Sequence, residues 1–121
     1  MKDSLAPGIE HTLEAAVTAD MSPPHLPVAV LSTPSMVQLM EQTCLLSAVP
    51  HLDANETTVG THVCVSHIAA ASVGETVTVT GRLTEVAKRR LRYEVRALVG
   101  DRLLGEGTHE RAVIDTTRFG A

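Results

Sequence analysis

From residue 58 to residue 115 apolar and polar side chains alternate with little interruption, and this period of two limits the fold more than any other feature. The pattern divides into segments near 58–68, 75–86, 90–99 and 103–115. The breaks between them, Ser72-Val73-Gly74, Ala87-Lys88-Arg89 and Gly100-Asp101, are short enough to be turns. Short turns join antiparallel neighbours, whereas parallel strands need a long crossover. A further alternating stretch, residues 9–18, places Ile9, His11, Leu13, Ala15 and Val17 on one face and predicts a first strand.

One segment breaks this rhythm. After Ser32-Thr33-Pro34 come Met36, Val37, Leu39, Met40, Cys44, Leu45, Leu46 and Ala48, which cover much of a helix circumference. Thr33 reads as the N-cap and Pro34 as the first helical residue, where a missing N–H would be unpaired in any case. The helix is expected to reach about Val49, before Pro50. Upstream, residues 20–27 hold Pro23, Pro24 and Pro27 and form a long loop, a lid or a plain connector. The element order is therefore β-α-β-β-β-β, an α+β chain whose helix must bury its apolar surface on one face of a five-stranded antiparallel sheet. A single helix leaves apolar edge and face over, so pairing with a second copy is expected. A cystatin-like cone is the structural alternative.

Composition removes several classes of function. At 121 residues the chain is expected to be a single domain, 1–121. No stretch approaches the roughly 20 apolar residues of a membrane helix. The aromatic fraction is 2%, so the core must be aliphatic and base-stacking platforms are missing. Net charge is −4, with no basic cluster larger than Lys88-Arg89-Arg90, which argues against nucleic acid. The N-terminus lacks the apolar run of a secretory signal, so the cytoplasm is expected, with Cys44 and Cys64 as two buried free thiols. No HExxH, CxxC or His-Asp cluster is present, and no metal is expected.

Four places could carry chemistry. Glu41 lies beside Val37, Leu45 and Ala48 on the flank of the apolar helix face, where a carboxylate suits a general base or nucleophile; a boundary glutamate reaching water is the plain alternative. Thr33 could cap the helix, and the N–H groups around it could also favour a developing oxyanion. His67 shares a strand face with Val59, Thr61, Val63 and Val65, while His62 falls on the opposite face with Gly60 and Cys64, unless a bulge intervenes. On the last strand, Gly105 and Gly107 allow close approach of a backbone or ligand, and Arg111 shares their face, for an ion pair or an anion.

Read together, Leu31-Ser32-Thr33-Pro34-Ser35-Met36-Val37-Gln38-Leu39-Met40-Glu41, then Val59-Gly60-Thr61 with Val65-Ser66-His67, and Gly107-Thr108-His109-Glu110-Arg111 resemble the fluoroacetyl-CoA thioesterase branch of the hot-dog fold. The resemblance runs over nearly the whole chain. It implies a helix packed across a five-stranded antiparallel sheet, a homodimer with acyl-CoA bound where the protomers meet, and no cofactor apart from coenzyme A as part of the substrate. It also implies that Thr33, Glu41 and His67 form the catalytic constellation and that Gly60 and Arg111 help hold the acyl-CoA. The fluoroacetyl-specific member has phenylalanines in the loop before the helix. Here that loop offers Leu26, Val28, Val30 and Leu31, which implies a different, small acyl group. Two other outcomes stay open: a non-catalytic acyl-CoA binder, and a hot-dog dehydratase or isomerase.

Overall fold

The computed structural model describes residues 1–120. Strands β1 (Glu10–Ala16), β2 (Glu56–His67), β3 (Thr76–Ala87), β4 (Arg90–Val99) and β5 (Arg102–Asp115) form one sheet in the order β1-β3-β4-β5-β2. Every neighbouring pair is antiparallel. The helix α1 (Thr33–Ala48) packs across one face, with its contacts spread over β1, β2, β3 and β4.

The alternation that predicts the strands also sorts their faces. In β4 every second residue from Leu91 to Ala97 is buried, and in β3 Val77, Val79, Gly81 and Leu83 take the same side. These residues meet Met36, Met40, Cys44 and Ala48 of α1 in an aliphatic core that contains a single aromatic ring, Tyr93. The Tyr93 hydroxyl is buried, and it pairs with Ser47 Oγ at 2.8 Å and donates to the Cys44 carbonyl at 3.3 Å. The other face of the sheet is wet and carries the cross-strand pairs Arg82–Glu94, Arg90–Glu110 and Arg96–Glu106 at 3.9, 3.6 and 4.0 Å. Exposed pairs of this kind contribute at most about 1 kcal/mol each, so the helix face of the sheet carries the stability. Helix and sheet approach closely at Gly81, where a Cβ would stand 2.9 Å from Cys44 Sγ.

Two expectations about local structure are corrected. The N-cap is Ser32, not Thr33: Ser32 is extended (φ −72°, ψ 157°) and its side chain accepts the Ser35 N–H at 3.2 Å. Thr33 is already helical, with Pro34 tolerated in the same first turn, so the Thr33 hydroxyl is free for another partner. Cys44 is buried as expected, but Cys64 is exposed: it pairs with Thr108, itself opposite Glu94, and so lies on the wet face of the sheet, on the edge strand β2. Residues 60–64 of that edge are all exposed. An open edge of this length, with Val63 40% and Ile68 64% exposed around it, is a surface that soluble proteins usually cover.

The loop before α1 is tied to the β2–β3 connection. Val30 bridges Ser72, and the Leu31 N–H donates to the Ala71 carbonyl at 2.8 Å. These bonds hold the loop above the start of the helix and the end of β2.

Candidate active site

At the start of α1, the freed Thr33 hydroxyl meets His67, the last residue of β2, with Thr33 Oγ1 2.8 Å from His67 Nδ1. The pair lines a cleft of about 520 Å³ with Leu26, Val30, Leu31, Ile68 and Ala69 among its other walls. No Phe, Tyr or Trp lines it. In the first turn of α1, Pro34 has no N–H, the Ser35 N–H is taken by Ser32 Oγ and the Met36 N–H by the Ser32 carbonyl, so an acyl oxygen placed here would meet the Thr33 N–H and hydroxyl at the positive end of the helix dipole. The fold thus brings Thr33 and His67 into contact, although they lie 34 positions apart in the chain.

Glu41 stands eight residues farther along α1, about 12 Å at the rise of an α-helix. Its side chain is 42% exposed, and Oε2 lies 4.0 Å from Arg111 Nη1. Gly60 is what lets it settle there: a Cβ on Gly60 would stand 3.3 Å from Glu41 Oε2 and 3.2 Å from His109 Cε1. Within one chain, therefore, the five expected residues form two groups, Thr33 with His67 and Glu41 with Gly60 and Arg111.

A bulge in β2 brings Gly60 to this side. Simple alternation separates Gly60 from His67, yet the β2–β5 register shifts between Gly60 and His62, leaving Thr61 as an extra residue. Gly60 then pairs with Arg111 and His67 with Gly105, so both face the helix. His62 pairs with Glu110 and remains on the other face from His67. Among the described residues, no three His, Cys, Asp or Glu side chains are grouped so as to hold a metal ion.

Arg111 is only 5% exposed, and three of its five N–H groups have partners within the chain. Nε donates to Thr58 Oγ1 at 2.7 Å and Nη2 to the Thr58 carbonyl at 3.0 Å. Nη1 lies 3.1 Å from His109 Nε2. His109 is itself buried, with Nδ1 2.7 Å from the His62 carbonyl. Burial pulls His109 below its ordinary range, against the opposing hydrogen bond to His62. Burial likewise pushes the Cys44 thiol up to about 12, which makes it an inert core residue. Sequence reasoning gave His109 and Thr58 no role. The signal was present for His109, which shares a strand face with Arg111 two positions away, but nothing in the pattern reveals that Thr58 lies across from them.

Comparisons with known proteins bear on the family and the fold. A family model described as fluoroacetyl-CoA-specific thioesterase matches residues 13–117. A fluoroacetyl-CoA thioesterase from Streptantibioticus cattleyicolor is 47% identical over 92 residues, which span 76% of this chain and 66% of that protein. A solved fluoroacetyl-CoA thioesterase superposes with a TM-score of 0.90 at 38% identity, covering 97% of this chain and 93% of that one. A mutant of such an enzyme in complex with fluoroacetate and CoA gives 0.88, again at 38% identity, over 96% of this chain and 100% of that one. A hot-dog-like protein from Thermanaerovibrio acidaminovorans, 22% identical, shares the fold with a TM-score of 0.83 over 95% of this chain and 93% of that one. The fold is the hot-dog fold, and the cystatin-like alternative is set aside.

Proposed function

The chain belongs to the fluoroacetyl-CoA-specific thioesterase family, and from that membership we propose that it hydrolyses a small acyl-CoA to the free acid and coenzyme A. The observation that carries this reading is the Thr33–His67 hydrogen bond at the wall of an aliphatic cleft, at the start of α1. A thioester carbonyl lodged there is polarised by the Thr33 hydroxyl and the helix N-terminus, which stabilise the oxyanion. Glu41 either takes a proton from the attacking water or attacks the carbonyl itself, giving an anhydride that water opens. The C–S bond then breaks, and the thiolate leaves with a proton relayed through His67. A thiolate is a competent leaving group, so this route calls on no metal and no cofactor beyond the coenzyme A of the substrate.

Glu41 and the Thr33–His67 pair lie too far apart in one chain to share a carbonyl. Antiparallel pairing of two β2 edges across residues 60–64 would run His67 of one copy toward Gly60 and Glu41 of the other. The working unit is accordingly a homodimer with a composite site, and the acyl-CoA binds where the two copies meet. Arg111, buried behind Glu41, supports the site from within, and Gly60 leaves room beside the carboxylate for the thioester. The aliphatic wall of Leu26, Val30 and Leu31 accommodates a small acyl group without aromatic contacts. Among the described residues no helix is long and apolar enough to cross a membrane. Coenzyme A thioesters are intracellular compounds, and we place the reaction in the cytoplasm.

The test is free-thiol release from acetyl-, fluoroacetyl-, propionyl-, butyryl- and phenylacetyl-CoA, with wild type beside Glu41→Gln and His67→Ala. Hydrolysis predicts release that drops at least about 100-fold in both variants while the fold persists. A wild type that binds acyl-CoA and releases no thiol would make the protein a binder. A change in enoyl absorbance without free thiol would make it a dehydratase or isomerase. Sedimentation of the same samples reads the dimer.

A further inference from the structure

Arg111 faces two groups that can each fill only one hydrogen-bonding role. A guanidinium has donors and no acceptor, so its 3.1 Å contact with His109 requires a bare Nε2 on the imidazole. A backbone carbonyl accepts and cannot donate, so the 2.7 Å contact of His109 Nδ1 with the His62 carbonyl requires the proton on Nδ1. Both demands are met by one species, the neutral ring protonated at Nδ1. The side chain is 1% exposed, so no water competes for either nitrogen.

We infer that His109 is a positioning residue for the hydrolysis proposed above: a neutral ring, anchored on the β2 bulge through Nδ1, whose bare Nε2 fixes Arg111 so that Nη1 faces Glu41. Thr58 completes the hold through its hydroxyl and carbonyl, which take Nε and Nη2. Three of the five guanidinium N–H groups are thereby committed, and Arg111 can neither swing out to a phosphate nor rotate away from Glu41. Glu41 is 42% exposed and otherwise free to sample rotamers; the 4.0 Å approach of Nη1 gives its carboxylate one preferred place, against Gly60. His109 touches no reacting atom in this arrangement. It acts on the reaction through Arg111 and Glu41, as the outer partners of a metal ligand or a catalytic base fix the tautomer and aim of the inner group. Neutrality is required, because a proton on Nε2 would turn that nitrogen into a donor pointed at another donor. The burial that pulls His109 down keeps it neutral at physiological pH.

This inference rests on the hydrolase reading for its kinetic consequence and on geometry alone for its tautomer, so the two can fail separately. The first measurement is a 15N–1H spectrum of the histidine rings at pH 7.5, with the His109 signals identified by their loss in His109→Gln. A proton on Nδ1 with bare Nε2 is expected; a proton on Nε2, or on both nitrogens, overturns the proposal whatever the activity. The second compares two variants that each keep half of the ring's function. Gln places an acceptor near Nε2 and loses the bulge anchor; Asn keeps a donor near Nδ1 and loses the acceptor for Arg111. Positioning predicts that His109→Gln stays within about threefold of wild-type kcat, while His109→Asn falls roughly 10- to 100-fold in kcat at nearly unchanged KM. The reverse order, Asn active and Gln inactive, would show that the ring merely pins the bulge and would sink the proposal. If neither variant folds, the His109 signals are identified in the wild type by their through-space contacts with Arg111, and the tautomer still decides. If wild type releases no thiol while the tautomer is as expected, the hydrolase reading fails and the Arg111 lock stands.

Discussion

Replacing Ser32 by Ala and Thr33 by Val should separate two hydroxyls that are adjacent in sequence and opposite in purpose. Ser32 caps α1 through the Ser35 N–H at 3.2 Å, with the Ser35 hydroxyl 3.0 Å away as well. Losing such a cap costs about 1 kcal/mol. For 121 residues the entropy of unfolding is roughly 0.25 kcal/mol/K, so Ser32→Ala should melt about 4 °C lower. Thr33 is exposed and caps nothing; Val retains its β-branch, and an exposed hydrogen bond to His67 is worth about 0.5 kcal/mol at most, or about 2 °C. Activity should rank the other way. Thr33→Val removes the hydroxyl partner of His67 from the cleft and should lower thiol release roughly 100-fold, while Ser32→Ala stays within about threefold. Thermal scans at one fixed protein concentration and thiol release on the same preparations make the comparison, the concentration being held because the Tm of the proposed dimer would depend on it. If Thr33→Val showed the larger loss of stability and Ser32→Ala the larger loss of rate, the hydroxyl at the helix start would be a cap, and the Thr33–His67 pair would not be the site.

Gly107→Ala should fail to fold, since its Cβ would lie 2.1 Å from the Cys64 carbonyl oxygen and 2.6 Å from Val65 Cα, both backbone atoms of β2 that cannot yield; soluble expression and circular dichroism check this. Gly60→Ala should fold, because its tight neighbours at 3.2 and 3.3 Å are side chains, and should lose kcat as Glu41 is pushed from its place, read as thiol release at an unchanged Tm. Cys44 should resist a thiol reagent at pH 8 until the chain unfolds, its thiol being pushed up to about 12, whereas labelling of Cys64 on the β2 edge should speed up on dilution if that edge is the dimer seam. Stability should fall with acid below the ordinary histidine value of 6.5, because His109, facing Arg111 on β5, Glu41 on α1 and His62 on β2, is held below it and the unfolded chain binds the proton more readily. That contribution is intact above pH 6.5 and is lost as the pH falls toward the folded-state value, and urea titrations across the window should be flatter for His109→Gln.

The strands were legible because a half-buried sheet imposes a period of two on any chain that forms it, and the expected 90–99 segment coincides with Arg90–Val99 of β4. The helix was legible from its Pro and its apolar circumference, but its cap was misplaced by one residue. Ser and Thr stand side by side there, either can cap, and Pro is tolerated at either of the next positions, so composition does not choose between them. Cys64 was misjudged for a different reason: alternation says that neighbouring side chains take opposite faces but not which face the helix covers, and Cys64 lies with Thr108 and Glu94 on the uncovered one. The bulge at Gly60 was invisible because alternation assumes an unbroken strand, and that assumption put Gly60 and His67 on opposite faces.

What the chain's residue pattern determined by itself is therefore the element order, the aliphatic core and the identity of the residues with chemistry to offer. Only the tertiary structure decided which of them meet. Thr33 reaches His67 across 34 positions and Arg111 reaches Thr58 across 53, and such contacts are set by strand order, register and one inserted residue at the bulge, none of which leaves a local trace. The division of the five expected residues into two groups follows from the same cause: an α-helix advances about 1.5 Å per residue, so Thr33 and Glu41 are held apart along α1, and the composite site we propose needs a second copy across the open β2 edge to close the distance.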